Sequence, residues 1–510
     1  MVLEYLTSEI AQTIAGVVAV VLADLRWLRV AQREHYLAGS VSIFVKRWWY
    51  SIPANFALLI IALVALVFSA VFPAFLLVTV VAVAVGPFGL SLKGRSSKLA
   101  WTKRLKTLAA VTFVVQIAIV AIGIAVGAPA PVTAALALLA PTTLELALLI
   151  TRPLEARKAG VFVEQARKRL ASVSPRVVAI TGSYGKTSTK NIVSHLVSSQ
   201  YSVVATPASF NNRAGISRSI NEHLTPGTEV FIAEMGTYGF GEIAELCDFC
   251  PPEIAVITAI GPVHLERFGS EAAIVSAKSE IFEKASIAVL NVDDDRLAQL
   301  SESLSQEGKK VWRCGSTDGA TDVRVTFGDG SLNVETGNET ASIPVPDNVA
   351  VASNLACAIA VALELGLELE VALRRLVTLA QVPHRQEVSV NERGVTVIDD
   401  TYNLNPAGAR RGLEKVAAHN GRKVVVTPGM VELGQRQYKE NADFAANISA
   451  VANDLVIVGR TNRKALKAGS TSGLNVKEVP TLPAAVAWVR EHVESDGVVL
   501  YANDLPDHYS

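Results

Sequence analysis

Net charge is what this 510-residue chain most plainly lacks, since 47 lysines and arginines are matched by 47 aspartates and glutamates. Without a global positive field, no partner held chiefly through a phosphate backbone is expected, and nucleic acid is set aside. Cysteine is scarce too. Cys247, Cys250, Cys314 and Cys357 are too few for a disulfide scaffold and read as thiols in a reducing compartment. Cys247 and Cys250 are spaced as CxxC, yet no second pair or well-placed histidine completes a zinc site. There is no low-complexity tail and no strong internal repeat. No grouping of Ser, Cys and His makes a persuasive nucleophilic triad. At this length a single core is not expected, and two or three domains are.

Charge is thinnest before Thr151, where the apolar excess behind a mean hydropathy of +0.35 is concentrated. Ile10 to Ala23 is apolar but short for a membrane crossing. Phe56 to Val85 runs for roughly 30 residues, more than one crossing needs, and reads as two short helices turning near Ala70–Pro73. Leu108 to Val126 and Val132 to Ile150 form a further pair, split by Gly127, Pro129 and Pro131. Arg26, Arg29, Arg33, Lys46 and Arg47 fall in one connection, and Lys93, Arg95, Lys98, Lys103, Arg104 and Lys106 in another. Positive-inside bias puts both, with everything after Thr151, on the cytoplasmic side. Trp27, Trp48, Trp49 and Tyr50 sit where an interfacial belt belongs. The expectation is a multi-pass anchor of four or five helices over residues 1–150, in contact with the lipids of the cytoplasmic membrane. Glu145 is the charged residue inside these spans, and a helix-end or packing role suits it better than contact with a substrate.

After Thr151 the pattern changes. Arg152 to Lys168 is a charged amphipathic connector, and Val177–Ile180, Val230–Ala233, Ile254–Ile260 and Ile287–Leu290 read as buried strands. Each runs into polar residues, as at the carboxyl edge of an α/β sheet. Residues 323–343 suggest a hairpin-like insertion, and Asn348 to Leu367 a helix. From about Arg385, strands at Thr396–Ile398, Lys423–Thr427, Leu455–Val458 and Val498–Tyr501 imply a second, smaller, mostly parallel sheet. The fold class expected is a helical transmembrane region, then an α/β P-loop-type domain over 151–383 and a smaller α/β domain over 384–510.

Ala179 to Thr189, A-I-T-G-S-Y-G-K-T-S-T, is a strand, a glycine turn and a helix start carrying Lys186 and Thr187. Backbone N–H groups and a lysine at such a turn suit a polyphosphate. The first glycine of a full Walker A pattern is missing, since Ile180 stands there. Lys186 is placed to bridge β and γ phosphates, and the Thr187 hydroxyl to reach magnesium. Glu234 and His264 each follow an apolar strand and suit magnesium around the transferred phosphate. Lys278, on chemistry alone, reads as a solvated helix lysine; Asn291 has the paired donor and acceptor that suit a base edge.

The order of these stretches resembles the muramyl (Mur) ligase superfamily of ATP-dependent amide-forming enzymes. The matching residues are Ile180 to Thr187, Asn211-Asn212 with Gly215, and Ala233 to Gly236, followed by Gly241 to Ile243 and Ile257-Thr258 through Gly261 and His264. Phe268-Gly269, Lys278 with Glu280, Asn291 to Asp294, and Asp399 to Pro406 complete the series over roughly residues 175 to 500. The likeness is greatest to members that add D-alanyl-D-alanine to a UDP-muramoyl tripeptide. The resemblance implies that ATP is bound by Thr181, Gly182, Ser183, Gly185, Lys186, Thr187 and Ser188, with Asn291 on adenine, Arg385 on a phosphate and Asp400 on ribose. It implies Mg2+ held by Thr187, Glu234, His264 and a carbamylated Lys278, which reverses the chemistry-only reading of that lysine. Asn212 would approach the γ or acyl phosphate, and Tyr402, Asn403 and Asn405 would line the substrate region.

The reaction implied is ADP-forming ligation of a carboxylate-bearing peptide or envelope precursor to an amino acid or dipeptide amine. A carboxylate is a poor electrophile, so ATP first turns it into an acyl phosphate, which the amine then attacks. Family members normally begin with a domain for the UDP-sugar; apolar helices stand in its place here, which opens a lipid-linked acceptor as an expectation. A ligase for poly-amino-acid or cofactor amides, or a non-catalytic ATP-binding scaffold, are the alternatives.

Overall fold

The computed structural model describes residues 8–92, 99–208, 210–263, 265–328, 330–337, 339–344, 350–379, 386–402, 404–503 and 505. His264, Arg385 and Asn403, and the basic residues Lys93, Arg95 and Lys98, lie outside them. The chain divides into two compact units, the first ending at Lys158 and the second running Ala159–Asp504.

The first unit is helical: Glu9–Arg33, Ser40–Val45, a π-helical turn Lys46–Tyr50, Pro53–Phe68, Phe75–Val85, Lys103–Ala125, Pro129–Leu138 and the start of Ala140–Val173. Two expected helices turn near Ala70–Pro73 as their proline and hydropathy pattern indicates. The four- or five-span anchor is corrected. Among the described residues one helix, Lys103–Ala125, is long and apolar enough to cross a membrane, or up to three spans if each bent pair counts as one. Phe75–Val85, at 11 residues, is short of the roughly 20 a crossing needs. Ser40–Tyr50 and Pro53–Phe68 meet at 97°, and Pro129–Leu138 and Ala140–Val173 at 73°. Two further expectations change. Arg26 and Arg29 are buried inside the first helix rather than in a connection, Arg26 donating to the carbonyls of Val83 (3.4 Å) and Ala84 (2.6 Å). Trp27, Trp48 and Trp49 belong to the core of this unit, where their large apolar area is buried, instead of an interfacial belt. Glu145 takes the helix-end role, accepting from the N–H groups of Gly39 (2.9 Å) and Ser42 (3.0 Å) at the start of Ser40–Val45. The charged connector is part of the helix Ala140–Val173, which contains Pro153.

The second unit holds two sheets. Strands β1 (Arg176–Thr181), β2 (Val203–Ala205), β3 (Val230–Glu234), β4 (Ile254–Ile257), β5 (Ile287–Asn291), β6 (Lys310–Gly315), β7 (Val323–Gly328), β8 (Ser331–Thr336) and β9 (Glu339–Pro344) form the larger sheet. Their order is β2-β3-β1-β4-β5-β6-β7-β8-β9. It is parallel through β7, and β7–β9 form the expected antiparallel extension. Near-continuous apolar strands follow from burial on both faces. Val178 and Ile180 pack with the helices Lys186–Val197 and Ala352–Glu364, while Val177 and Ala179 pack on the other side with Ile216, Ile220 and Phe249. In the register Ile180 lies opposite Glu234, and Thr181 opposite Ile257, so the polar strand ends share one edge.

The smaller sheet contains β10 (Glu387–Val390), β11 (Thr396–Asp400), β12 (Lys423–Thr427), β13 (Asp454–Val458), β14 (Asn475–Val479) and β15 (Val498–Ala502), ordered β10-β11-β15-β12-β13-β14. Only β10 runs antiparallel to its neighbour. Asp400 closes β11 at the carboxyl edge, beside the helix Pro406–Ala417.

Candidate active site

The turn after β1 is built by two glycines in conformations that side chains disfavour. Gly182 has φ +149° and Gly185 φ +81°, and a Cβ on either would run into Thr258 or Asn354. The loop is tied down at Ser183, whose N–H donates to Ala259 O (2.7 Å) and whose hydroxyl bonds the Gly261 backbone. Tyr184 packs against Gly261, and its carbonyl accepts from the Thr258 hydroxyl. The helix Lys186–Val197 starts directly after Gly185, so its positive end faces the loop. Lys186 Nζ folds back onto the Gly182 carbonyl (2.7 Å) and the Ser183 carbonyl (3.4 Å). Ser188 is half-buried in the first helical turn. Thr181 is fully buried, and its hydroxyl has no hydrogen-bond partner among the described residues.

Glu234 is the hub of the strand edge. It is 1% exposed, and Thr187 Oγ1 donates to Oε2 at 2.8 Å, Lys190 Nζ lies 3.3 Å from the same oxygen, and Asn211 Nδ2 donates to Oε1 at 3.0 Å. A buried carboxylate with a hydroxyl beside it is an all-oxygen donor pair of the kind Mg2+ takes together with substrate phosphates and water. Among the described residues no group of three or more His, Cys, Asp and Glu forms a ready-made metal cage. The residues present therefore fit a metal that arrives with its own phosphate oxygens.

Lys278 is buried, contrary to the chemistry-only reading of a solvated helix lysine. It sits in the last turn of Glu271–Ser279 and lines a cleft of about 50 Å3 with Gly182, Ser183, Lys186, Asn211 and Thr237. Burial, joined by the Lys186 charge, pulls its pKa well below the ordinary lysine value. Small-molecule pockets run to about 300 Å3 or more, so this cleft is only part of a nucleotide site.

Other expected residues are engaged differently. Asn212 is exposed and caps the helix Arg213–His223 through Gly215 N (2.9 Å); its neighbour Asn211 is the one on the cleft. The Asn291 amide donates to Thr258 O (2.9 Å) and its Oδ1 accepts from Asp293 N (3.2 Å), joining strand ends. In the smaller sheet Asp400 accepts from Gln386 (3.2 Å), Asn405 caps its helix through Gly408 N (2.8 Å), and Tyr402 is half-exposed. Lys190 was not singled out from sequence, and Asn211 was matched to the family only beside Asn212, with no role of its own. For Lys190 the signal was there, because Thr187 and Lys190 are three apart on one helix and share a face.

A model of the Mur ligase middle domain matches residues 180–362, and one of the Mur ligase glutamate ligase domain matches residues 384–503. The chain is 31% identical over 364 residues to the UDP-N-acetylmuramoyl-tripeptide–D-alanyl-D-alanine ligase of Mycobacterium leprae, covering 64% of this chain and 70% of that protein. The enzyme of that name from Escherichia coli is 29% identical over 306 residues, 56% and 67% of the two chains. Among solved structures, MurF ligase from Thermotoga maritima in complex with ADP is similar with a TM-score of 0.60 and 26% identity, covering 68% of this chain and 80% of that one. MurF from Acinetobacter baumannii gives 0.59 and 25%, over 68% and 77%. With most of the chain matched to such enzymes, and among the described residues one helix of spanning length or at most three spans counting bent pairs, the multi-pass membrane localisation expected from composition is overturned.

Proposed function

We propose, from the premise that this chain belongs to the Mur ligase family, a division of labour among its residues for an ATP-dependent, ADP-forming ligation. The enzyme joins a carboxylate to an amine in peptidoglycan precursor synthesis. The observation that carries the assignment of roles is the convergence of Lys186, Thr187, Glu234 and Lys278 at the carboxyl edge of one parallel sheet.

In this reading Lys186 leaves the carbonyls of its own loop to neutralise the β and γ phosphates as the terminal phosphoryl moves. Thr187 and Glu234 would hold magnesium, and His264 is assigned to magnesium by the family resemblance; the ion would supply charge neutralisation at the phosphates. Lys278, whose ammonium form is disfavoured by burial and by the Lys186 charge, would take up carbon dioxide as a carbamate with release of a proton, giving an anion that would support the metal. Asn211, which lines the cleft, joins Asn212 in approaching the acyl phosphate. Asn291 faces adenine, Arg385 a phosphate and Asp400 the ribose, while Tyr402, Asn403 and Asn405 border the acceptor and amine.

The acceptor follows the relatives in being a muramoyl peptide, and the amine in being an amino acid or dipeptide such as D-alanyl-D-alanine. The apolar helices of the first unit, with Phe113, Val114, Ile122 and Ile124 exposed on the longest apolar one, support a lipid-linked form of that acceptor in place of a UDP-linked one. Detergent-purified enzyme should release ADP with lipid-linked acceptor and amine, and mass spectrometry should find the amide. Equal use of the soluble UDP-peptide would remove the lipid preference, and phosphate release without any amide would remove the ligase assignment.

A further inference from the structure

The reaction above gives Lys190 no task, yet this lysine is 2% exposed and placed with care. Its Nζ lies 2.6 Å from the carbonyl of Ala208 and 3.3 Å from Glu234 Oε2, the oxygen that also accepts from Thr187. Ala208 itself has φ +42°, in the left-handed region, and stands three residues before the cleft residue Asn211. One ammonium thus ties together the helix after the glycine loop, the carboxylate at the end of β3, and the loop that delivers Asn211.

The charges decide what this does. Glu234 and Lys190 form a buried pair of zero net charge, and both carboxylate oxygens already accept hydrogen bonds. A bare divalent cation reaching Oε2 would meet a resident ammonium in a poorly screened place. It would also have to give up tightly held water for two protein oxygens, which Mg2+ does reluctantly. A nucleotide changes both terms of the comparison, because its phosphates bring negative charge for Lys186 and Lys190 and oxygens for the metal.

We infer that Lys190 is a positioning residue that keeps Glu234 neutralised and aimed until the metal comes as its nucleotide complex, making metal binding conditional on nucleotide. The inference rests on the reading of Glu234 and Thr187 as the residues that hold the metal.

The test uses Mn2+ as the probe, its free concentration read by electron paramagnetic resonance on the full chain with and without ADP, the ADP arm being corrected for the Mn2+–ADP complex measured without protein. Wild-type protein should bind Mn2+ at least about tenfold more tightly with ADP than without. Lys190→Met should bind Mn2+ without ADP at least about tenfold more tightly than wild type does, since Glu234 has lost its resident cation, and Lys190→Arg should behave as wild type. Wild-type affinity that is the same with and without ADP overturns the inference, as does a folded Lys190→Met with unchanged affinity. Should Lys190→Met not fold, Lys190→Gln, which also removes the charge and keeps a polar end for the Ala208 carbonyl, is read in its place with the same expected gain and the same overturning result. Glu234→Gln separates the two layers: if it leaves Mn2+ binding with ADP intact, the metal-holding role of Glu234 fails, whereas its loss alongside an unaltered Lys190→Met removes only the role of Lys190.

Discussion

Lys278 and Lys186 line the same cleft, and burial together with the Lys186 charge holds the Lys278 amine well below its ordinary pKa. A lysine depressed in the folded state binds fewer protons there than in the unfolded chain, so it costs stability at neutral pH. That cost shrinks as pH rises from the folded value toward the unfolded one, about 10.4. Lys278→Met should therefore melt higher than wild type at pH 7 in bicarbonate-free buffer, with the advantage narrowing as the pH approaches 10. An advantage that stays constant across that range would show that the Lys278 charge is not what burial penalises. In bicarbonate, isotope-labelled carbamate carbon should appear by NMR in wild type and be absent from the variant.

Removing either end of the phosphate and metal arrangement should stop turnover with the fold intact. Lys186→Ala and Glu234→Gln are each expected to lower kcat for ADP release by about a hundredfold or more. Circular dichroism of both variants should match wild type, and retention of near-normal kcat would remove the residue concerned from the chemistry.

The loop conformation is the next expectation. Gly185→Ala forces a side chain into φ +81°, with its Cβ about to meet the buried Asn354 side chain at 2.5 Å. A cost of about 1–2 kcal/mol in unfolding free energy follows from the left-handed backbone alone. Nucleotide affinity by calorimetry should fall at the same time, because the phosphate-facing N–H groups are displaced. The same measurement on Gly227→Ala, at a turn with nothing within 4 Å, serves as the control for φ strain away from the site.

Arg436, in the turn Gly434–Arg436 after β12, reaches Glu271 at 2.8 Å, and Glu271 begins the helix that carries Lys278. The pair is partly solvent-exposed, at 48% and 29%, so Arg436→Ala should change unfolding free energy by less than about 1 kcal/mol. It should nevertheless lower kcat, because the contact joins the smaller-sheet domain to the Lys278 helix. Added salt should bring the wild-type rate down toward that of the variant. A rate insensitive to both changes would mean the contact is incidental.

Much of the ligase part was legible because its strands are buried on both faces and end abruptly in polar residues. Val177–Ile180 running into Thr181 and Val230–Ala233 into Glu234 marked both the sheet and its functional edge. The burial of Lys278 was not legible from charge pattern, since a lysine in a helix is ordinarily solvated, and only tertiary packing buries this one. Asn291 was picked for its amide chemistry and Asn212 through the family resemblance, but local backbone bonds at Thr258 and Gly215 engage those amides. The N-terminal helices were misjudged in number because hydropathy registers apolar length without showing bends. The break at Leu139 turns the expected stretch Val132–Ile150 into an angled pair, and Pro53–Phe68 is bent against Ser40–Tyr50 in what charge marked as a connection. Arg26 and Arg29 misled in the opposite sense: charge suggested a connection, whereas Arg26 is tied to carbonyls within the helical core.

The central claim is that the γ phosphate is passed to the acceptor carboxylate before the amine arrives. Acceptor labelled with heavy oxygen in its reacting carboxylate, incubated with ATP, amine and enzyme, should yield inorganic phosphate carrying one labelled oxygen, with ADP unlabelled. Label found in AMP, or absent from phosphate while amide accumulates, would contradict an acyl phosphate and with it the assignment of this site.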